Sequence, residues 1–212
     1  DLSDLVVNDL TVNGELQALG TIKLDGNYPV GTDNVALGNT ALDSVEAGGT
    51  NNVAIGDNAG TAITTGDNNT AVGKDALTAT TTSANNTAIG SCALDANTTG
   101  SSNTAVGRNS LGSNTDATFN TAVGHNSLAT NSTGDNNTGI GYNALVSNTT
   151  ASNNTSVGYL SLCANTTGAQ NTALGRGALS CNTTASSNTA VGYNSSHCNT
   201  TGTNNTSVGC VS

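Results

Sequence analysis

A glycine closing an Asn-x-x-aliphatic-Gly pentad returns along this chain at Gly38, Gly56, Gly73, Gly90, Gly107, Gly124, Gly141, Gly158, Gly175, Gly192 and Gly209. The first step is 18 residues and every later step is 17. A unit of this length that recurs without drift points to a solenoid, in which each repeat is one coil stacked on the next. Four residues before each glycine stands Asn, and directly before it a Leu, Ile or Val. Four residues after it most copies carry Leu, among them Leu77, Leu94, Leu111 and Leu128. Seven residues after it, Asn97 through Asn199 form a second unbroken Asn column.

The local chemistry favours β-structure. Thr and Val in the Thr-Ala-Val-Gly stretch alternate with small residues, the period-2 pattern of a strand with two different faces. Asn-Thr-Thr-Gly segments favour turns and interrupt the chain in every repeat, so no stretch is long enough for a useful helix. The fold class read from this is all-β: a parallel β-solenoid of 17-residue coils over residues 34–212. Equivalent residues then stack about 4.8 Å apart. The aliphatic and Leu columns are expected to fill a thin interior. Asn69, Asn86, Asn103, Asn120, Asn137, Asn154, Asn171, Asn188 and Asn205 are expected to form an amide ladder along the axis, satisfying turn backbone and one another.

A weaker period of 34 residues overlies this one. Ten residues after the marker, Gly66, Gly100, Gly134, Gly168 and Gly202 alternate with Ser83, Ala117, Ala151 and Ala185. Two explanations fit: positive φ on every second coil, or descent from a duplicated two-repeat unit. Residues 1–33 stand outside the register. Their short apolar runs broken by Asn13-Gly14 and Asp25-Gly26 suggest a β-rich attachment, capping or subunit-pairing segment. The chain starts at Asp1, which fits a cleaved leader or a trimmed sequence, and stops as a new coil begins. An uncapped coil exposes strand edges that template pairing, so a head-to-tail filament is one expected assembly.

The pentad with its following Ala, as in Asn52-Val53-Ala54-Ile55-Gly56 through Ala59 and Asn86-Thr87-Ala88-Ile89-Gly90 through Ala93, resembles the head repeats of trimeric autotransporter adhesins. It is more similar still to the Asn-Thr-Ala-Val-Gly arrays of phage tail fibres. The resemblance covers residues 34–212, and residues 7–14 also look like segments that precede such arrays. It implies a parallel β-roll, commonly a homotrimer, that works as an adhesive or structural fibre. The 17-residue repeat is longer than the usual repeat of adhesin heads.

Composition narrows the function classes. Aromatic residues make up 2% of the chain, Met and Trp are absent and Phe119 is the single Phe, so a core of large side chains is not available. With four Lys and Arg and a formal net charge of −10, a phosphate backbone or an anionic membrane surface is an unsuitable partner. No apolar run approaches the ~20 residues of a membrane span. Carboxylates at Asp57, Asp67, Asp75, Asp95, Asp116 and Asp135 are scattered and form no opposed glycosidase pair. Neither a calcium nonapeptide nor a nucleophile elbow occurs. No catalytic residue, cofactor or metal site is therefore expected.

The most variable column follows the marker directly and holds Lys74, Arg108, His125, Tyr142, Tyr159, Arg176 and Tyr193. Stacked, it makes a stripe about 48 Å long over ten steps. It reads either as a contact stripe, since Tyr and Arg favour interfaces, or as a solvated corner where nothing limits side-chain size. Cys181 and Cys198 occupy equivalent positions one repeat apart. They are close enough for a disulfide in an oxidising exterior, although parallel Cβ vectors suit the bond poorly; two reduced thiols are the other reading. His197 beside Cys198 lacks a zinc-type ligand set.

The function expected from the sequence is a structural subunit of an extracellular or virion fibre or filament. It would associate with itself, as a homotrimer or head to tail, and carry an adhesive role toward a host-surface receptor or glycan. Two alternatives remain. The Thr column from Thr70 to Thr206 suits a monomeric surface-binding solenoid of the ice-binding kind. A polysaccharide-cleaving tailspike is the less favoured one.

Overall fold

The computed structural model describes residues 33–212; the expected β-rich segment lies almost wholly outside that range. Over the described residues the chain is a parallel β-solenoid. Each coil contributes one three-residue strand, from β1 (Val35–Leu37) and β2 (Val53–Ile55) to β11 (Thr206–Val208), and the eleven strands form a single sheet in chain order. Neighbours pair in parallel with no slip: Ala54 faces Ala71, and Ala71 faces Ala88. Backbone bonds continue the stacking beyond the strands, as from Thr70 N–H to Asn86 O (2.8 Å) and from Gly73 N–H to Ile55 O (2.8 Å).

The interior is narrower than the sequence suggests, and this corrects one expectation. The middle residue of each strand, Ala in most coils, points inward and is buried in all but the first and last strands, while its two neighbours point out. The aliphatic residue before the marker glycine therefore lies outside: Ile55 is 38% exposed, Ile89 40% and Ile140 38%. What fills the interior is the Leu column, two Ala-rich columns and the two Asn columns, essentially solvent-free except in the last coil. Strand periodicity requires this, because residues two apart share a face. With a bulky and a β-branched residue flanking Ala, the thin core takes the small one. Each buried Leu contributes about 1.5–3 kcal/mol.

Tight coils impose unusual backbone angles. The marker glycines hold φ between +127 and +144, and a Cβ on Gly141 would lie 2.5 Å from the carbonyl oxygen of Gly158. Both constraints exclude every other residue at that position. More unexpectedly, the core leucines are also left-handed, from φ +49 at Leu162 to +54 at Leu145. That conformation costs roughly 1–2 kcal/mol for a residue with a Cβ, and burial of the side chain offsets it. The residues two after and five before the marker, often Asn, are left-handed as well.

The 34-residue period has a steric cause rather than a dihedral one. Gly66, Gly100, Gly134 and Gly168 do not take positive φ. Instead a Cβ at Gly100 would stand 2.3 Å from Ala117 O, and one at Gly134 2.2 Å from Ala151 O. Alternate coils thus approach closely at this corner, which corrects the expectation of positive φ.

Candidate functional site

Among the described residues, two long columns of side chains face outward, one on the strand and one just after it. The first is on the strand's outer face, where the aliphatic column runs the length of the sheet and a Thr column runs beside it from Thr70 onward, with Val35 and Val53 in its place on the first two strands. Parallel pairing without slip keeps both columns straight, at about 4.8 Å per step. The second begins one residue later, where the marker glycine turns the chain and throws the next side chain outward.

In that column six consecutive coils join into one stacked run. Arg108 Nη1 lies 3.3 Å from His125 Nε2. His125 stacks on Tyr142 (centroids 5.5 Å apart, planes 8° apart), and Tyr142 on Tyr159 (5.4 Å, 13°). The Arg176 guanidinium carbon sits 5.5 Å from the Tyr159 centroid and 5.3 Å from that of Tyr193, and Nη1 donates to the Tyr193 hydroxyl at 2.8 Å. The run spans about 24 Å. Rings at strand spacing can only lie face to face, so their edges meet solvent. Tyr142, Tyr159 and Tyr193 remain close to half exposed.

Lys74 belongs to the column but not to the run. It pairs instead with Asp75, which raises the ammonium pKa and, together with a hydrogen bond from Asn58, lowers that of the carboxyl.

The Asn69 to Asn205 column stacks as expected but bonds differently from an amide ladder. Each side-chain oxygen accepts the backbone N–H of the next Asn in the column, as from Asn86 to Asn69 (3.0 Å), and most side-chain nitrogens donate to a turn carbonyl, as from Asn86 to Gly100 O (2.9 Å). The amide-to-amide ladder is formed by the second column. Asn114 donates to Asn97 (2.8 Å), Asn148 to Asn131 (2.8 Å), Asn165 to Asn148 (3.0 Å) and Asn182 to Asn165 (2.9 Å). Each also donates to the carbonyl three residues on.

Cys181 and Cys198 are free thiols in this structure. Cys181 Sγ lies 3.8 Å from His197 Nε2, and His197 Nδ1 bonds the Ser180 hydroxyl. Burial pushes the nearby Cys163 thiol pKa up. Cys163, Ser180, Cys181 and His197 border a surface hollow of about 440 Å³ whose other wall is Tyr159, Arg176 and Tyr193. Gly177 opens it: other coils carry a side chain at that position, and a Cβ there would meet Asn194 Oδ1 at 2.1 Å. Among the described residues no group of three or more His, Cys, Asp or Glu is placed to hold a metal ion.

The outer aliphatic face and the hollow were not read from the sequence. The first had a signal: Ala between Thr and an aliphatic residue marks the small residue as the inward one. The second had none beyond Gly177, because it depends on three coils meeting. No protein-family model, curated protein or solved structure matches this chain.

Proposed function

We propose that the chain is a non-enzymatic structural subunit of an extracellular or virion fibre, which associates with copies of itself through the outer face of its sheet and presents the aromatic stripe beside that contact. The outward aliphatic column carries this reading. A straight row of Leu, Ile and Val side chains running the length of the sheet is unusual on a surface that stays in water. A second copy offers the same row at the same spacing, so coil-by-coil matching aligns every step at once. Around a three-fold axis each chain would contribute one such row to a shared apolar core, which is why a homotrimer is favoured over a head-to-tail filament.

Light scattering on the full chain tests this. A discrete trimer that falls to monomer when Val106, Ile140 and Leu174 are all changed to Ser supports the reading. A monomer before any substitution defeats it, and large polydisperse species favour the filament.

One observation favours a second reading. Thr and aliphatic columns share one flat, rigid face, giving two ordered columns rather than the single Thr column visible in sequence. A monomer with thermal-hysteresis activity would make this chain a surface-binding solenoid of the ice-binding kind.

A further inference from the structure

All fourteen Asp and Glu residues lie in residues 1–135, and from residue 136 onward Arg176 is the only Lys, Arg, Asp or Glu side chain. No carboxylate on that stretch can neutralise it. Its guanidinium is held in place by Tyr159 and Tyr193, and its single hydrogen bond among the described residues goes to the Tyr193 hydroxyl. The remaining N–H groups of a planar five-donor fork are left at the wall of the hollow. A guanidinium held this way is suited to a carboxylate, which it meets with two parallel hydrogen bonds.

The rest of the hollow indicates what carries that carboxylate. The Tyr159 and Tyr193 hydroxyls and the Asn194 amide offer donors and acceptors around it, the Ser180 hydroxyl and the His197 imidazole bond each other, and Leu160 lines it with an apolar side chain. The wall is more apolar than polar and carries a few hydroxyl and amide groups, and a sugar ring, which presents both C–H and hydroxyl groups, matches that mixture better than a fatty acid, which has nothing to bond those groups. At about 440 Å³ the hollow falls within the size range of small-ligand sites. From this geometry we infer that the hollow binds a sugar unit bearing a carboxylate, with Arg176 as the carboxylate anchor. This deepens the proposed role, since it rests on the fibre reading for where such a sugar would be met: on a surface glycan.

The test is NMR titration of the full chain with glucuronate and N-acetylneuraminate, using glucose and acetate as controls. The expected result is that at least one acidic sugar shifts the signals of Tyr159, Tyr193, Asn194 and His197, while both controls leave them in place. Arg176→Gln should weaken that binding roughly ten- to a hundredfold, with an unchanged circular-dichroism melt; Arg108→Gln, in the same column outside the hollow, should leave it intact. No shift with either acidic sugar overturns the inference. Glucose or acetate binding equally well does the same, as does affinity unaffected by Arg176→Gln. Light scattering on the same sample separates the two readings. A trimer that ignores both sugars loses only this inference, and a monomer that binds one loses only the fibre.

Discussion

The first two coils and the body of the solenoid fill the same slot differently. Seven residues after the marker, the first coils carry Val45 and Ile63, both 1% exposed, whereas the body from Asn97 onward carries the amide ladder. Thr80 is the junction: Asn97 Nδ2 donates to its hydroxyl (3.1 Å), and that hydroxyl donates to Asn97 O (3.0 Å). The second coil also lacks the core Leu and has Gly60 there, with the side chain of Ile63 occupying the space. Asn and an aliphatic residue are close in volume, so packing tolerates either. They differ in cooperativity: an aliphatic residue packs where it stands, while each Asn needs the one before it. The slot thus shows that shape selects the coil and hydrogen bonding links the coils.

The largest expected effect should ignore this boundary. Gly56→Ala and Gly124→Ala each force a Cβ to 2.6 Å from the next coil's carbonyl oxygen at positive φ. Both should cost more than about 4 kcal/mol, as a backbone collision without relief, read as loss of cooperative unfolding in urea. If Gly56→Ala is tolerated, the first coils are looser than the body and the shared geometry fails.

Asn148→Leu should come next. It removes the donor to Asn131 and Ala151 O and the acceptor for Asn165, leaving buried amides unpaired. A cost of about 1–3 kcal/mol per unsatisfied group is expected in urea unfolding. Ile63→Val, deleting one methylene in the apolar end, should cost about 0.5–1.5 kcal/mol. Equal losses would remove the distinction between ladder and packing.

A coupled pair of substitutions sharpens the comparison further. Gly60→Leu alone overfills the slot, since a Cβ at Gly60 meets Ile63 Cδ1 at 3.0 Å and Leu42 Cδ2 at 3.1 Å. It should destabilise by about 1–3 kcal/mol. Combined with Ile63→Asn it restores the body pattern, and the pair should cost less than the sum of its members in a double-mutant cycle. Strict additivity would mean the two positions do not share a slot.

The smallest effect is electrostatic. Burial holds the half-buried Asp95 carboxyl above its usual pKa. The folded chain then keeps that proton to higher pH than the unfolded chain does. Stability is fullest below the unfolded carboxylate range and declines as pH rises through the folded pKa. Asp95→Asn should flatten this decline in melting temperature against pH; an unchanged profile would show that Asp95 is not its source.

Much of this was legible without coordinates, because a repeat states its own register. Once Gly38 to Gly209 are aligned, the coil length, the parallel stacking and the columns follow from the spacing of residue types, and only a β-coil accommodates a turn in every 17 residues. The Arg and Tyr stripe was visible for the same reason. Which columns face inward depended on the width of the interior, set by the curvature of a whole coil. That is why the aliphatic column, a reasonable core in isolation, lies outside, and why leucines accept left-handed φ to reach the axis. The division of labour between the two Asn columns was likewise hidden, since both have the same composition and differ only in which carbonyls come within reach. The hollow beside Arg176 required three coils at their true separation. Sequence periodicity determined the order of the stack; the tertiary structure decided inside from outside, because that choice depends on distances across the coil that no spacing along the chain encodes.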